Sequence, residues 1–164
     1  MRQTSFADMY CSLARTMEVV GDWWSPLILR DLYLGFRRFD DLAEDLGISR
    51  NLLTARLKAL VENGIVDRSP YQDRPVRYEY TLTEAGRDLV PTLLALTAWG
   101  DRWVAPQEGP PIRVRHTTCG QVAPPTVCCS ACGEPLTADD VEMIPGPGGR
   151  AAPGTMAVGR FLKA

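Results

Sequence analysis

The stretch from Phe39 to Gly64 constrains the fold of this chain most strongly, because its pattern predicts two helices joined by a tight turn. Apolar residues recur at helical spacing up to Leu46, Gly47 interrupts the pattern, and Ser49 is a favourable N-cap for a second helix. The second helix repeats leucine at intervals of three and four residues and ends at Gly64. Together these features predict a helix-turn-helix.

The polar face of the second helix carries side chains that can read DNA bases. A rotation of about 100° per residue places Asn51 and Lys58 opposite the leucine stripe. Arg50 and Thr54 lie beside the N-terminal end of that face. In the major groove, Arg can bridge guanine O6 and N7, and Asn can bridge adenine N6 and N7. An antiparallel helix pair in an all-α core would have similar spacing, so this stretch alone leaves both interpretations open.

Two alternating stretches follow the second helix and predict a β-hairpin. Residues 65–71 and 76–82 alternate in polarity, and a polar tip joins them. Arg74 at the tip, Arg77 on the second arm and Arg68 on the first are suitably placed to bind phosphates beside the groove. A helix-turn-helix followed by a basic hairpin is a winged helix, which favours DNA binding. The predicted fold class is mainly α with a small β-hairpin wing (α+β).

The ordered set of residues from Cys11 to Trp99 resembles the HxlR family of winged-helix transcriptional regulators, relatives of the MarR group. The matching residues are Cys11, Gly21, Trp24, Leu27, Ile28, Leu29, Arg30, Gly35, Arg38, Phe39, Leu42, Gly47, Ile48, Ser49, Leu53, Thr54, Arg56, Leu57, Leu60, Gly64, Ile65, Val66, residues 78–83, Gly86 and Trp99. The resemblance spans roughly residues 8 to 103 and implies a sequence-specific DNA-binding regulator, most often a repressor. The predicted contacts to double-stranded DNA are Arg38, Ser49, Arg50, Asn51, Thr54, Lys58, Arg74 and Arg77.

Composition limits how such a chain can bind nucleic acid. Its 164 residues can bury one core and a small satellite module, and its formal net charge is −2. Affinity for DNA must therefore come from a local patch. Residues 47–80 contain six Arg and Lys and four carboxylates, a small positive excess. No run approaches the roughly 20 apolar residues of a membrane span, and no apolar signal-peptide core opens the chain, so we expect a cytoplasmic location and no membrane partner.

Apolar residues after the hairpin predict a long helix that Thr83 caps and that bends near Pro91. A winged domain has little further core to cover, so the apolar side of this helix is expected to form a homodimer together with the first helix. Packing on its own domain is the alternative. A dimer would present two recognition helices to half-sites about one DNA turn apart. The predicted boundaries are residues 1–104 for this DNA-binding and dimerisation domain, and residues 105–111 for a linker.

A Cys-rich segment follows the linker. The only His and four of the five Cys of the chain lie within residues 116–132. A Cys-x-x-Cys-Gly sequence has the pattern of a zinc knuckle, and an earlier His-x-x-Cys-Gly repeats it with one His. The predicted ligands of a closed structural zinc site are His116, Cys119, Cys129 and Cys132. A redox-active Cys pair and a metal-free hairpin are the alternatives, and disulfides are unfavourable in a reducing cytoplasm.

The predicted module around these ligands is a small zinc-ribbon-like extension at residues 112–143, and residues 144–164 are predicted to be a disordered tail. Two other classes of function remain open for the Cys-rich module. One is a thiol oxidoreductase, against which stand the absence of a thioredoxin-like βαβ pattern and of a second His. The other is a protein-interaction adaptor that does not bind DNA.

Cys11, before the first helix, is the candidate redox sensor. The HxlR family includes members in which a Cys at this place responds to oxidants or electrophiles, and a helix N-terminus would activate its thiol. The family commonly has Pro after this Cys, whereas Ser12 follows it here. A small buried residue that closes the core is the alternative role. The other candidate effector is a small molecule bound near Trp23 and Trp24.

Overall fold

The computed structural model describes residues 5–158, which divide into two compact units. One unit consists of residues 5–87 and 142–158, and the other of residues 88–141. The helices of the described chain are α1 (Ser12–Val20), α2 (Ser25–Leu34), α3 (Phe39–Leu46), α4 (Arg50–Glu62), α5 (Glu84–Asp88) and α6 (Val90–Trp103), and the strands are β1 (Val66–Asp73) and β2 (Val76–Leu82). This order of elements confirms the predicted winged-helix class.

The core of the first unit is built around the predicted leucine stripe of α4. Leu53, Leu57 and Leu60 are at most 1% exposed, as are apolar residues of α2, α3 and β1. Those further fully buried residues are Ile28, Leu29, Leu42 and Val66. Since burial of this stripe fixes the rotation of α4, its polar face is directed to solvent.

Capping residues stand at both ends of the turn before α4, and an ion pair holds α4 from its inner side. Gly47 has the left-handed φ of +59° that ends α3, and the Ser49 hydroxyl accepts a hydrogen bond from the Leu52 amide at 3.4 Å. On the inner side of α4, Arg56 Nε lies 3.3 Å from Asp22 Oδ1. The predicted N-cap is confirmed, and the ion pair ties α4 to the loop before α2.

The β1–β2 hairpin, hereafter the wing, is antiparallel and is attached to the helix-turn-helix. Its pairing runs from Val66 opposite Leu82 to the tip, with a bulge between Pro70 and Gln72. The Tyr80 amide also donates to the carbonyl of residue 37 at 2.9 Å, and an antiparallel bridge joins residues 38 and 79. These hydrogen-bonded contacts join the segment before α3 to β2 and so hold the wing beside α3.

The chain after the wing departs from the sequence prediction. Thr83 caps the next helix as expected, since its hydroxyl accepts from the Gly86 amide at 3.1 Å. The single long bent helix, however, is two helices, with Leu89 separating α5 from α6. Pro91 lies in the first turn of α6, where its missing N–H breaks no intrahelical hydrogen bond, so a new helix starts there.

α6 carries an exposed apolar stripe. Leu96, Trp99 and Trp103 follow one another at helical spacing and are 60%, 59% and 61% exposed. In the part of the chain that the structure describes, no helix combines the length and the hydropathy that crossing a membrane requires.

Candidate nucleic-acid interface

The exposed face of α4 presents the side chains that the sequence predicts to read DNA. Ser49, Arg50, Asn51, Thr54 and Lys58 are all exposed, while the leucine stripe on the other side is buried. The Thr54 hydroxyl donates to the carbonyl of Arg50 at 2.8 Å. Lys58 Nζ lies 3.6 Å from Glu62 Oε1 at the end of α4. Asn51 is exposed on the same face. These placements agree with the predicted contacts, which stay predictions.

Arg50 is held by two neighbours from α3. Its Nη1 lies 2.7 Å from Asp40 Oδ1, and its guanidinium carbon lies 4.7 Å from the centroid of the Phe39 ring. The side chains of Arg50 and Asp40 are 69% and 70% exposed, so water screens the ion pair strongly. Arg50 is therefore oriented at the start of α4 by a pair that DNA can displace. Asp40 was absent from the predicted site, because its pairing with Arg50 has no local sequence pattern.

A groove between the start of α4 and the wing gathers cations from three elements. Arg38, Arg50 and Arg77 line this groove of about 330 Å³. Asp40, the partner of Arg50, also lines it, as do Tyr71 and other aromatic residues. The guanidinium carbon of Arg38 lies 4.9 Å from the centroid of the Tyr71 ring, a cation–π contact that holds it against β1. The fold thus brings together three arginines that the sequence places on separate elements. We call this the arginine groove.

A second groove of about 390 Å³ lies between the middle of α4 and the wing. Thr54, Lys58 and Arg68 line it, together with Tyr80. The guanidinium carbon of Arg68 lies 3.5 Å from the centroid of the Tyr78 ring. Burial raises the pKa of Tyr80, so its phenol stays neutral beside these cations. Arg68 therefore lies beside the middle of α4, Arg77 lies in the arginine groove, and Arg74 is exposed at the tip of the wing.

The Cys-rich segment brings the predicted ligands together in two separate pairs. His116 Nδ1 lies 3.3 Å from Cys119 Sγ in the first turn. In the second turn, the backbone amides of Cys132 and Ala131 are directed at the Cys129 sulfur and lower the pKa of that thiol. Within residues 5–158, no three His, Cys, Asp or Glu side chains converge closely enough to hold a metal ion. The structure brings each pair together and does not join the two pairs.

Cys11 is half-buried at the N-cap of α1, and a distant segment of the chain lies against it. A Cβ built on Gly154 would lie 3.3 Å from Cys11 Cβ, which means close backbone contact. The Tyr10 amide donates to the Pro153 carbonyl at 2.8 Å, and the Arg150 guanidinium carbon lies 3.5 Å from the Tyr10 ring centroid. These contacts come from a segment that the sequence alone predicts to be a disordered tail.

The chain is similar to known proteins in sequence. The family model described as HxlR-like helix-turn-helix matches residues 19–108. The uncharacterised HTH-type transcriptional regulator Rv3095 of Mycobacterium tuberculosis (strain ATCC 25618 / H37Rv) is 51% identical over 140 residues, which are 85% of this chain and 89% of that relative. Because any 140-residue stretch of this chain includes residues 25–140, the match covers the winged helix and the Cys-rich segment.

Two solved structures extend the comparison. The crystal structure of PA1607, a candidate transcription factor, is 36% identical with a TM-score of 0.75 and covers 85% of this chain and 98% of that one. The redox regulator HypR in its oxidised form is 32% identical with a TM-score of 0.54 and covers 58% of this chain and 100% of that one.

Proposed function

This chain belongs to the HxlR-like helix-turn-helix family of DNA-binding transcriptional regulators, and we propose that it is a homodimeric repressor that reads its operator through α4. The arginine groove is the observation that carries the proposal. Arg38, Arg50 and Arg77 reach it from the segment before α3, from the start of α4 and from the wing. A phosphate strand in this groove would fix the register of α4 in the major groove.

Base recognition is assigned to the first turns of α4. In the free protein Arg50 is paired with Asp40, and on DNA it exchanges that carboxylate for a guanine edge or a phosphate. Asn51, one residue further, is placed to bridge an adenine. The exchange at Arg50 costs little, because the ion pair is solvent-exposed. The specificity of the protein is therefore assigned to residues 49–54.

Affinity is assigned to a limited set of phosphate contacts. The candidates are Arg74 and Arg77 on the wing, Arg38 beside it, and Lys58 and Arg68 in the groove between the middle of α4 and the wing. Each phosphate contact lowers the slope of log affinity against log salt by about 0.9. A protein with a net charge of −2 that relies on these few cations should bind DNA with a marked salt dependence.

The homodimer is supported by the apolar stripe of α6. Leu96, Trp99 and Trp103 expose about three fifths of their surface each, which is costly in water for a surface of this size. Leu13 on α1 is also exposed, at 67%. A second copy of the chain in a two-fold arrangement would cover such helix surfaces and supply a second α4 for the other half-site.

An oxidant or electrophile that acts through Cys11 is the proposed input signal. Cys11 is at the N-cap of α1, and the similar protein HypR is named as a redox regulator. A resolving thiol would have to come from the other subunit or from a small molecule, because no second Cys is near in the sequence. A ligand bound near Trp23, which is 89% exposed, is the second candidate for the effector.

A gel-shift assay on the DNA upstream of the protein's own gene tests the proposal, with unrelated competitor DNA present. We expect a complex that survives competitor DNA and is weakened in the Arg50→Ala and Asn51→Ala variants. In the cell, we expect lower transcription from the bound promoter. Binding equal to that of unrelated DNA would refute sequence-specific recognition. An adaptor or a thiol oxidoreductase without DNA binding would give no shift at all.

A further inference from the structure

The two turns of the Cys-rich segment are built in the same way. In each turn, three backbone hydrogen bonds can be counted from the first predicted ligand. The amide of that residue donates to the carbonyl five residues later, and its carbonyl accepts from the amide four residues later. In the third bond, the amide seven residues after it donates to the carbonyl two residues before it. In the first turn these bonds are His116 to Gln121 at 2.9 Å, Gly120 to His116 at 2.8 Å and Ala123 to Val114 at 3.2 Å; in the second they are Cys129 to Glu134 at 2.8 Å, Gly133 to Cys129 at 2.8 Å and Leu136 to Val127 at 2.9 Å.

This equivalence pairs each predicted ligand with a counterpart. His116 occupies the place of Cys129, and Cys119 occupies the place of Cys132. The isolated bridges match as well, with residues 115 and 122 in the first turn and residues 128 and 135 in the second. The glycine that closes each turn has a positive φ, +71° in the first and +80° in the second. The His is therefore one member of a repeated ligand pair.

The segment that holds these turns lacks an apolar core. No residue from 105 to 141 is buried, although the chain there forms two specific hydrogen-bonded turns. Structures below about 40 residues usually need disulfides, a metal or association to be stable. All five cysteines lie in the described part of the chain and none forms a disulfide. A metal ion or association with another surface therefore stays open as the source of stability for the two turns.

We propose that the source of this stability is one zinc ion per chain, bound by His116, Cys119, Cys129 and Cys132. Three thiolates and one imidazole form the donor set that tetrahedral structural zinc prefers. On binding, the three thiols release their protons, the His binds through a neutral ring nitrogen, and no electrons are transferred. The ion joins two pairs that the chain alone keeps separate.

Metal analysis of the full-length protein tests this inference. The protein is purified with reductant and without chelator, and zinc is measured per chain in the wild type and in His116→Ala, Cys119→Ser and Cys132→Ser variants. We expect about one zinc per chain in the wild type and a loss of most of it in each variant. Cys128→Ser is the matched control, because Cys128 is next to Cys129 but is not one of the four proposed ligands. Its thiol is directed at the Thr126 carbonyl, 3.9 Å away.

A second measurement keeps the test independent of folding and of the proposed function. Protease cleavage within residues 112–141 should become faster when a chelator removes the zinc and should slow again when zinc is restored. DNA binding by the zinc-free protein should persist, because the predicted DNA contacts all lie in the first unit. Three results would overturn the assignment. The wild-type protein could contain no zinc, it could contain a Cys129–Cys132 disulfide and no metal, or Cys128→Ser could lose as much zinc as the ligand variants.

Discussion

Arg50, the first residue of α4, is bound to Asp40 in the first turn of α3, with 2.7 Å between Nη1 and Oδ1. The ion pair spans the turn between the two helices of the helix-turn-helix. Because both side chains are about 70% exposed, the pair is expected to contribute less than about 1 kcal/mol. Asp40 is therefore a weak competitor of DNA for the same arginine.

The first prediction concerns this competition. The Asp40→Asn variant should bind operator DNA about two- to fivefold more tightly than wild type, which corresponds to releasing an exposed ion pair. The gain should shrink as salt rises, since salt screens the carboxylate. Fluorescence anisotropy titrations at several salt concentrations measure both effects. Asp41→Asn is the matched control, since it removes a neighbouring charge, and equal gains in both variants would contradict a specific role for the Arg50 pair.

The wing should act through phosphates alone. An Arg74→Ala, Arg77→Ala double variant should lose affinity for all DNA sequences by a similar factor, while the preferred sequence stays the same. The negative slope of log affinity against log salt should become shallower by about one unit per lost contact. Arg87→Ala, on α5 and outside both grooves, controls for net charge. A slope that equals the wild-type value in the double variant would show that the wing does not grip DNA.

The apolar stripe of α6 should hold the dimer together. Trp99→Asp places a charge in that stripe and should give a monomer in sedimentation or light-scattering measurements. Affinity for a two-half-site operator should then fall at least about tenfold, or 1.4 kcal/mol. Thr97→Asp adds the same charge on an exposed side of α6 away from the stripe. A dimer that survives Trp99→Asp would contradict this interface.

A pH-dependent stability is expected from Asp31 in α2. Its side chain is fully buried beside Arg30, with 2.6 Å between Arg30 Nη2 and Asp31 Oδ1, while Oδ2 has no hydrogen-bond partner in residues 5–158. Burial raises the pKa of Asp31 above its usual 3.8, and Arg30 offsets only part of that effect. The folded state then holds this proton more tightly than the unfolded state, so stability is lost as pH rises from 3.8 through the raised value.

The Asp31→Asn variant isolates this effect, because its side chain does not titrate. The free energy of unfolding of the wild type, minus that of the variant, should decrease as pH rises through that window and stay constant above it. Urea unfolding at several pH values measures this difference. A difference that grows with pH would mean that the pKa of Asp31 is lowered in the folded protein.

Local patterns explain which parts of the fold were predictable. The leucine stripe of α4, the cap at Ser49 and the two strands of the wing are all encoded within a few residues, and the structure confirms them. Contacts between residues distant in sequence leave no periodic signal, so they could not be predicted. They are the ion pairs Arg50–Asp40 and Arg56–Asp22 and the contact of Gly154 with Cys11. In the Cys-rich segment, the repeated His-x-x-Cys-Gly and Cys-x-x-Cys-Gly patterns predict two similar turns, and the hydrogen bonds of the two turns match.

Selection of bound sequences from a random DNA pool is the most direct test of recognition through α4. The wild type should enrich a two-fold symmetric site whose half-sites lie about 10 base pairs apart. Asn51→Ala should keep this spacing and lose about 1–3 kcal/mol of discrimination at one position of each half-site. Asn63→Ala, which changes the same residue type at the far end of α4, should select the wild-type site. A motif that is identical for wild type and Asn51→Ala, or no motif for the wild type, would contradict base reading by this helix.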